Sequence, residues 1–488
     1  MDPWALLLLL SHVIVGFVAA VAVSVNRRPA SAIAWILTII FIPFLGLLAF
    51  LLIGVGRLPR RRRAIQQHVS ELMAARSDVL ALRIAPTRPS WLSFAVQLNE
   101  NLGALPMLSG NAAHLIEGYE ESIAAMVDDI DGAEEYVHVE FYILVLDGTT
   151  RSFFDALARA TARGVPVRVL SDHVAGFLSP YRKETRVALR EMGAEWHPML
   201  PLRPLSGQWQ RPDLRNHRKL LVVDGVVGHT GSQNLIDDSY HKPISARRGL
   251  HWKELMVRLE GPVVAELDAV FVTDWFSETG KLLPLVGHPE AAIPDAGAPH
   301  AGKHAVIDAQ VVPSGPSFEN DNNLKLFVLL IQSAQQRVSI TSPYFVPEES
   351  TLLAILTAAA RGVDVELFVS AIGDQFLVYH AQRSYYEVLL RAGVAIYLYR
   401  EPTVLHSKHF SIDDDVAVIG TSNMDIRSFS LNMELSLLVR GRAFVDRMRA
   451  VEDSYRANSD ALTLADWSRR PLRAKVRDNL ARLTSSLQ

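Results

Sequence analysis

Asn216-His-Arg-Lys-Leu-Leu-Val-Val-Asp224 and Leu405-His-Ser-Lys-His-Phe-Ser-Ile-Asp413 carry one spacing, His-x-Lys-x-x-x-x-Asp, once in each half of the chain. The echo continues downstream. Gly231-Ser-Gln-Asn234 and Gly420-Thr-Ser-Asn423 each begin fourteen residues after their histidine, so Asn234 and Asn423 share an offset of seventeen. One copy would be weak evidence, but two in the same order with matching tails indicate a duplication. On an extended strand, residues two apart project from the same face, so His217 with Lys219, and His406 with Lys408, can aim an imidazole and an ammonium at one anion. That suits a phosphate. Neutral histidine is a competent nucleophile near pH 7, lysine supplies fixed positive charge, and hydroxyl or amide donors complete a cage for the transferring oxygens. With two such sites facing each other, one histidine attacks phosphorus while the other protonates the leaving alcohol, and the roles reverse for the incoming hydroxyl. Such a route needs no cofactor and no metal, and the sequence has neither an HExxH spacing nor clustered carboxylates that would call for one.

Outward from the motifs, the same elements recur. Glu135-Tyr-Val-His-Val-Glu-Phe-Tyr-Ile-Leu144 is answered by Arg337-Val-Ser-Ile-Thr-Ser-Pro-Tyr-Phe-Val346, and both read as buried strands. Ala162-Arg-Gly-Val-Pro-Val-Arg-Val-Leu-Ser171 is matched by Ala360-Arg-Gly-Val-Asp-Val-Glu-Leu-Phe-Val-Ser370, where Gly164 and Gly362 stop a helix before a strand. Leu189-Arg-Glu-Met-Gly193 and Leu390-Arg-Ala-Gly393 repeat that unit. Alternating strands and helices predict two duplicated α/β lobes that form one active site, over residues 107–279 and 317–460. Residues 280–316, rich in Pro, Ala, Gly and His, read as a linker. Residues 461–488 read as a basic amphipathic helix with Leu472, Val476, Leu480 and Leu483 on one face and Arg469, Arg470, Arg473, Lys475, Arg477 and Arg482 around it. It could lie on anionic lipid, and docking on the domain is the preferred reading.

The N-terminal end is different in kind. No Asp, Glu, Lys or Arg occurs from Trp4 to Val25, or from Ser31 to Gly56, and each run reaches the roughly 20 residues that span a bilayer core. Residues 1–58 therefore predict an α-helical transmembrane hairpin with a tight turn at Asn26, Arg27, Arg28, Pro29 and Ala30. A cleaved signal peptide is disfavoured, because the first run lacks a basic leader and a small-residue cleavage site. Arg57 and the block Arg60, Arg61, Arg62, Arg63 outweigh the two arginines of the turn, which predicts a cytoplasmic body behind a basic juxtamembrane connector over 59–106. The same block suits anionic head groups. Over the whole chain the composition, 49% hydrophobic with a net charge of -3, gives no global argument for nucleic acid. The absence of cysteine excludes disulfides, thiolate metal sites and thiol nucleophiles.

The paired motifs resemble the phospholipase D superfamily, and the likeness extends from about residue 110 onward. Arg27-Arg-Pro-Ala-Ser-Ala-Ile-Ala-Trp35, the two apolar runs, and Gly420-Thr-Ser-Asn-Met-Asp-Ile-Arg-Ser-Phe-Ser-Leu-Asn-Met-Glu434 resemble the bacterial cardiolipin synthases within it. Ser342-Pro-Tyr-Phe-Val-Pro347 and Arg383-Ser-Tyr-Tyr386 fall where those enzymes carry similar runs. The resemblance implies an enzyme of the cell membrane that transfers a phosphatidyl group between two phosphatidylglycerol molecules through a phosphohistidine. It implies His217 as nucleophile and His406 as acid and base, the choice between them being the softer part. Lys219, Lys408, Asn234 and Asn423 would hold phosphate, with Ser232 and Thr421 in support and Glu254 and Glu434 orienting the histidines. Asp224 and Asp413 complete the catalytic motif, although strand ends also suit turn formers. The second motif departs in a small way, with His-Ser-Lys where many relatives have His-Ala-Lys. Water or another alcohol as acceptor, a nuclease of the same superfamily, and an inactive membrane scaffold are the rival readings. The implied partners are phosphatidylglycerol and anionic membrane lipids, with homo-oligomerisation left open.

Overall fold

The computed structural model describes residues 3–24, 29–54, 90–202, 211–284, 305–316, 318 and 321–484. The basic block at 57–63, the turn at Asn26 to Arg28 and most of the expected linker lie outside them. At the N-terminus the chain forms helices Pro3–Ser24, Pro29–Phe41 and Pro43–Ile53. The expected second span is thus two helices of 13 and 11 residues rather than one. Pro43 has no N–H to continue the ladder and its ring crowds the preceding turn, so Ile42 leaves the helical region at φ -133° and ψ 70°. Val23, Ala32, Ile39 and Phe50 pack between these helices, with Trp35 meeting Phe50 edge-on at 5.4 Å. Among the described residues no helix is both long and apolar enough to cross a membrane.

The body is built from strands. In its first half these are β1 (Leu108–Ile116), β2 (Val137–Phe141), β3 (Val167–Asp172), β4 (Glu195–Met199), β5 (Lys219–Val223), β6 (Val227–Gly231), β7 (His251–Lys253) and β8 (Met256–Glu260). The second half adds β9 (Ala305–Ser314), β10 (Arg337–Thr341), β11 (Asp364–Ser370), β12 (Ala395–Tyr399), β13 (Thr403–Leu405), β14 (His409–Ile412), β15 (Val416–Gly420), β16 (Glu434–Arg440) and β17 (Ser459–Leu462). Fifteen of them form one sheet in the order β17-β12-β11-β10-β14-β15-β16-β9-β1-β8-β6-β5-β2-β3-β4. Read inward from β12 in one half and from β4 in the other, the two halves repeat the same pattern: two parallel pairings, then antiparallel ones, with β17 added antiparallel outside β12. They meet where β1 and β9 pair antiparallel. The fold is therefore the mixed α/β sheet of a duplicated chain.

Part of the expected linker is structured. Residues 305–314 form β9, the strand that joins the halves, pairing with β1 on one side and β16 on the other. The Pro, Ala and Gly content of 280–316 hid the alternation in Ala305-Val-Ile-Asp-Ala-Gln-Val-Val312, whose residues are mostly buried. The helix stops are duplicated as expected: Gly164 and Gly362 take φ +87° and +86°, the left-handed conformation that suits glycine at a helix end. Each half buries its own apolar core between sheet and helices, one including Val139, Phe153, Leu157 and Val169, the other Phe327, Ile340, Leu367 and Phe410.

Candidate active site

β5 begins at Lys219, and Lys408 lies between β13 and β14, so both motifs sit where chain enters the central antiparallel strands. The entering segments cross to the other half. His217 N donates to Met433 O at 2.8 Å, and Met433 N returns a bond to Arg215 O. By the same token His406 N donates to Lys253 O at 2.8 Å, and β13 pairs parallel with β7. Glu434 follows Met433, and Glu254 follows Lys253. Each histidine is therefore laid beside the glutamate of the opposite half.

The side chains complete that exchange. His217 Nδ1 lies 2.9 Å and 3.0 Å from the two oxygens of Glu434, and His406 Nδ1 lies 2.7 Å from Glu254 Oε1. A carboxylate at Nδ1 holds the proton there and leaves Nε2 with its lone pair, the tautomer a nucleophile or base requires. Thr421 Oγ1 donates to Glu434 Oε2 at 2.5 Å and Asn432 Nδ2 to Oε1 at 3.2 Å. Glu254 Oε1 accepts from the Tyr240 hydroxyl at 3.0 Å, and Asn234 Nδ2 donates to that hydroxyl at 3.0 Å. Ser232 bonds the backbone of Leu255, beside Glu254. Asn423 is buried next to Ser422 and Thr421. Each lysine folds back on the carbonyl of its own histidine, Lys219 Nζ to His217 O at 2.7 Å and Lys408 Nζ to His406 O at 2.6 Å.

Burial sets the electrostatics. It lowers the His217 imidazole to about 4 and also lowers His406, so both are neutral near pH 7 despite their carboxylates. Burial lowers Lys219 to about 7, with the Lys408 ammonium adding to it, and lowers Lys408 to about 8. Lys408 also bears on His217, so both motifs share one electrostatic neighbourhood. Burial alone would raise Glu434 and Glu254, but the facing imidazoles and lysines hold both below the usual carboxylate value. Two buried ammonium groups repelling each other form a site whose charge an anion would balance.

Asp224 and Asp413 are not brought to the histidines. Asp224 accepts the backbone N–H groups of Glu134, Glu135 and Tyr136 at 2.7–2.8 Å, and Asp413 those of Gln335, Gln336 and Arg337 at 2.7–3.1 Å. Both have left-handed φ, 53° and 48°. The four-residue separation from the lysine spans a whole strand, which carries each aspartate to the far end, where it anchors the entry to β2 or β10. These bonds fit the turn-forming alternative that the strand ends offered in the sequence.

Several neighbours escaped the sequence reading. Tyr142 meets His217 edge-on at 5.0 Å and Tyr344 meets His406 at 6.0 Å. The aligned repeat segments already set Tyr142 opposite Tyr344, so a signal existed. Tyr240 had none. Arg218, fully buried, pairs with Asp274, donates to Glu434 O at 3.1 Å and to Ser314 O at 3.4 Å, and so ties the two halves beneath the site.

Known proteins bear on this arrangement. Residues 126–275 and 327–454 match the family described as cardiolipin synthase, phospholipase D-like domain, and residues 6–54 match the phospholipase D-nuclease N-terminal family. Cardiolipin synthase A of Pectobacterium carotovorum subsp. carotovorum (strain PC1) is 33% identical over 459 residues, covering 93% of this chain and 92% of that protein. Cardiolipin synthase A of Serratia proteamaculans (strain 568) is 32% identical over 464 residues with the same coverage. Among solved structures, phosphatidylserine synthase of Haemophilus influenzae Rd KW20 matches with a TM-score of 0.60 over 80% of this chain and 99% of that one, at 15% identity, a likeness of fold alone. With a family model matching in both halves and relatives aligned over nearly their whole length, this chain belongs to the cardiolipin synthase, phospholipase D-like family.

Proposed function

We propose that the chain makes cardiolipin by phosphatidyl transfer between two phosphatidylglycerol molecules. The carrying observation is the reciprocal exchange of carboxylates, which occupies Nδ1 of two neutral imidazoles and leaves Nε2 for chemistry beside two buried lysines, with Lys408 Nζ 3.3 Å from His406 Nε2. In this reading the His217 Nε2 lone pair attacks phosphorus of the first phosphatidylglycerol, the bond from phosphorus to the glycerol oxygen breaks, and His406 delivers the proton that releases glycerol. The entering phosphodiester anion favours the charged form of His406, which burial otherwise opposes. His406 then takes the proton from a glycerol hydroxyl of the second lipid. That oxygen attacks phosphorus, the phosphorus–nitrogen bond breaks, and its electrons return to Nε2. Lys219, Lys408, Asn234 and Asn423 hold the phosphoryl oxygens, and Glu434 and Glu254 keep the proton on Nδ1.

Residues 1–58 are assigned to a two-pass anchor in the cell membrane with the body on the cytoplasmic side, supported by the two uncharged runs and the arginines at 57 and 60–63. Both substrates are lipids, so an anchored site searches in two dimensions. The test uses phosphatidylglycerol vesicles and an aryl phosphodiester whose leaving group needs no acid. His406→Ala should then trap phosphate on His217, found by mass spectrometry, while His217→Ala traps none. Phosphatidic acid as the sole lipid product of the parent enzyme would reject cardiolipin synthesis, and trapping on His406 would reverse the two roles.

A further inference from the structure

The helix Leu472–Arg482 is docked on the body with its polarity turned inside out. Its inward face carries Asp478, 1% exposed, which bonds His380 Nδ1 at 2.8 Å and pairs with Arg470, together with the small residue Ala481. Its outward face carries Leu472, Val476, Leu480 and, one residue on, Leu483, at 75, 47, 59 and 78% exposure. At about 100° per residue these four fall within one stripe roughly 80° wide, almost opposite the buried face. Arg473 and Arg477, both exposed, border the stripe on one side. Lys475 and Arg482 border it on the other, over Glu387 and the Tyr385 ring. The helix beneath, Phe376–Arg383, adds exposed Phe376 and Leu377.

A helix that were only a lid would bury its leucines and expose its aspartate. Here the body fixes the helix through the His380–Asp478–Arg470 contacts, and the apolar stripe is left for something else. We propose that this face lies in the interfacial layer of an anionic bilayer, with Leu472, Val476, Leu480 and Leu483 among the acyl chains and the flanking arginines on lipid phosphates. The charge complementarity favours that occupant: cations rim both sides of the stripe, and the one acidic residue of the helix is buried and paired. It would fix how the body meets the membrane, apart from any N-terminal anchor. The inference rests on the reading of the chain as an enzyme of membrane lipids.

Because the chain has no cysteine, Leu480→Cys and Val476→Cys in the full-length protein each take a single environment-sensitive fluorophore, with Ser152→Cys on the charged helix Arg151–Ala162 as control. In phosphatidylglycerol vesicles containing lipids with head-group nitroxides, both C-terminal probes should lose most of their emission while the control keeps most of its own. Adding Arg473→Glu and Arg477→Glu should restore much of the lost signal. Quenching no greater than at the Ser152→Cys probe would overturn the proposal. So would a disulfide joining two copies of the unlabelled Leu480→Cys variant in place of quenching, which would mark the stripe as a protein interface. The readout needs no turnover, so its failure leaves cardiolipin synthesis standing, and loss of synthesis does not alter it.

Discussion

Replacing Glu434 with glutamine isolates what the other half's carboxylate does for His217. The side chain keeps its shape, and its surroundings dictate how the amide sits. Asn432 Nδ2 can only donate, so the amide oxygen must face it and His217, while the amide nitrogen faces Thr421 Oγ1, whose hydroxyl can turn to accept. His217 Nδ1 then keeps one acceptor, at the Oε1 position 3.0 Å away, and loses the one at the Oε2 position 2.9 Å away together with the charge. A hydrogen bond to a charged group contributes about 1.5–3 kcal/mol, and each 1.4 kcal/mol or so is tenfold in rate. As positive charge grows on the imidazole only when Nε2 bonds to phosphorus, that loss falls on the transition state. We expect Glu434→Gln to slow cardiolipin formation in phosphatidylglycerol vesicles roughly 10- to 100-fold. Phosphohistidine formation should slow by the same factor in rapid-quench experiments, with thermal unfolding little changed. A rate within about threefold of the parent would refute the claim that the carboxylate supports the attacking imidazole.

Other outcomes follow from particular contacts. Asp224→Asn or Asp413→Asn should lower the melting temperature by weakening charged bonds to three backbone amides, each change costing about 1–3 kcal/mol, while synthesis per folded enzyme stays near the parental rate; a large loss of turnover without loss of stability would restore their catalytic role. Tungstate, whose own charge is constant above neutrality, should bind more weakly as pH rises from about 6.5 to about 9. Lys219 and Lys408 start near 7 and 8 and are pushed up by the anion, so binding takes up protons and weakens as pH passes those free-enzyme values, by up to about tenfold per unit per lysine; pH-independent titrations would contradict this. Arg218→Met should cost about 3–5 kcal/mol, because it leaves the buried carboxylates of Asp274 and Glu140 facing each other without their cation; an unchanged denaturation midpoint would show the network to be dispensable.

The duplication was legible because it is written in local signals. Glycines stop helices, two-residue spacing sets a shared face, and the offset of seventeen survives in both halves, so the α/β order followed from short-range rules. Topology beyond one repeat was not legible. Nothing local in Ala305–Ser314 announces that it joins the two halves of one sheet, and its small residues resemble a linker until a partner on each edge is known. In the site, the pairing of His217 with Glu434 spans 217 positions, a contact no spacing rule encodes, and only the family likeness pointed to those glutamates. Tyr142 and Tyr344 were recoverable from the alignment of the repeats, whereas Tyr240, which bonds Glu254 and meets His406 edge-on at 6.1 Å, aligns with Phe429 six residues after the second-half asparagine. Asp224 and Asp413 were legible as strand ends that suit turn formers, and their bonds to three backbone amides each support that side of the reading.

The swapped glutamates also bear on how such a molecule can change over time. A centre assembled from two separate identical chains disperses on dilution, and any substitution strikes both copies at once. Within a single polypeptide the partners are always present at high effective concentration, and a substitution touches one copy only. Arg218 in the first motif and Ser407 in the second already differ at the same place. Covalent linkage thus permits a division of labour, with one imidazole free to specialise in attack and the other in carrying protons.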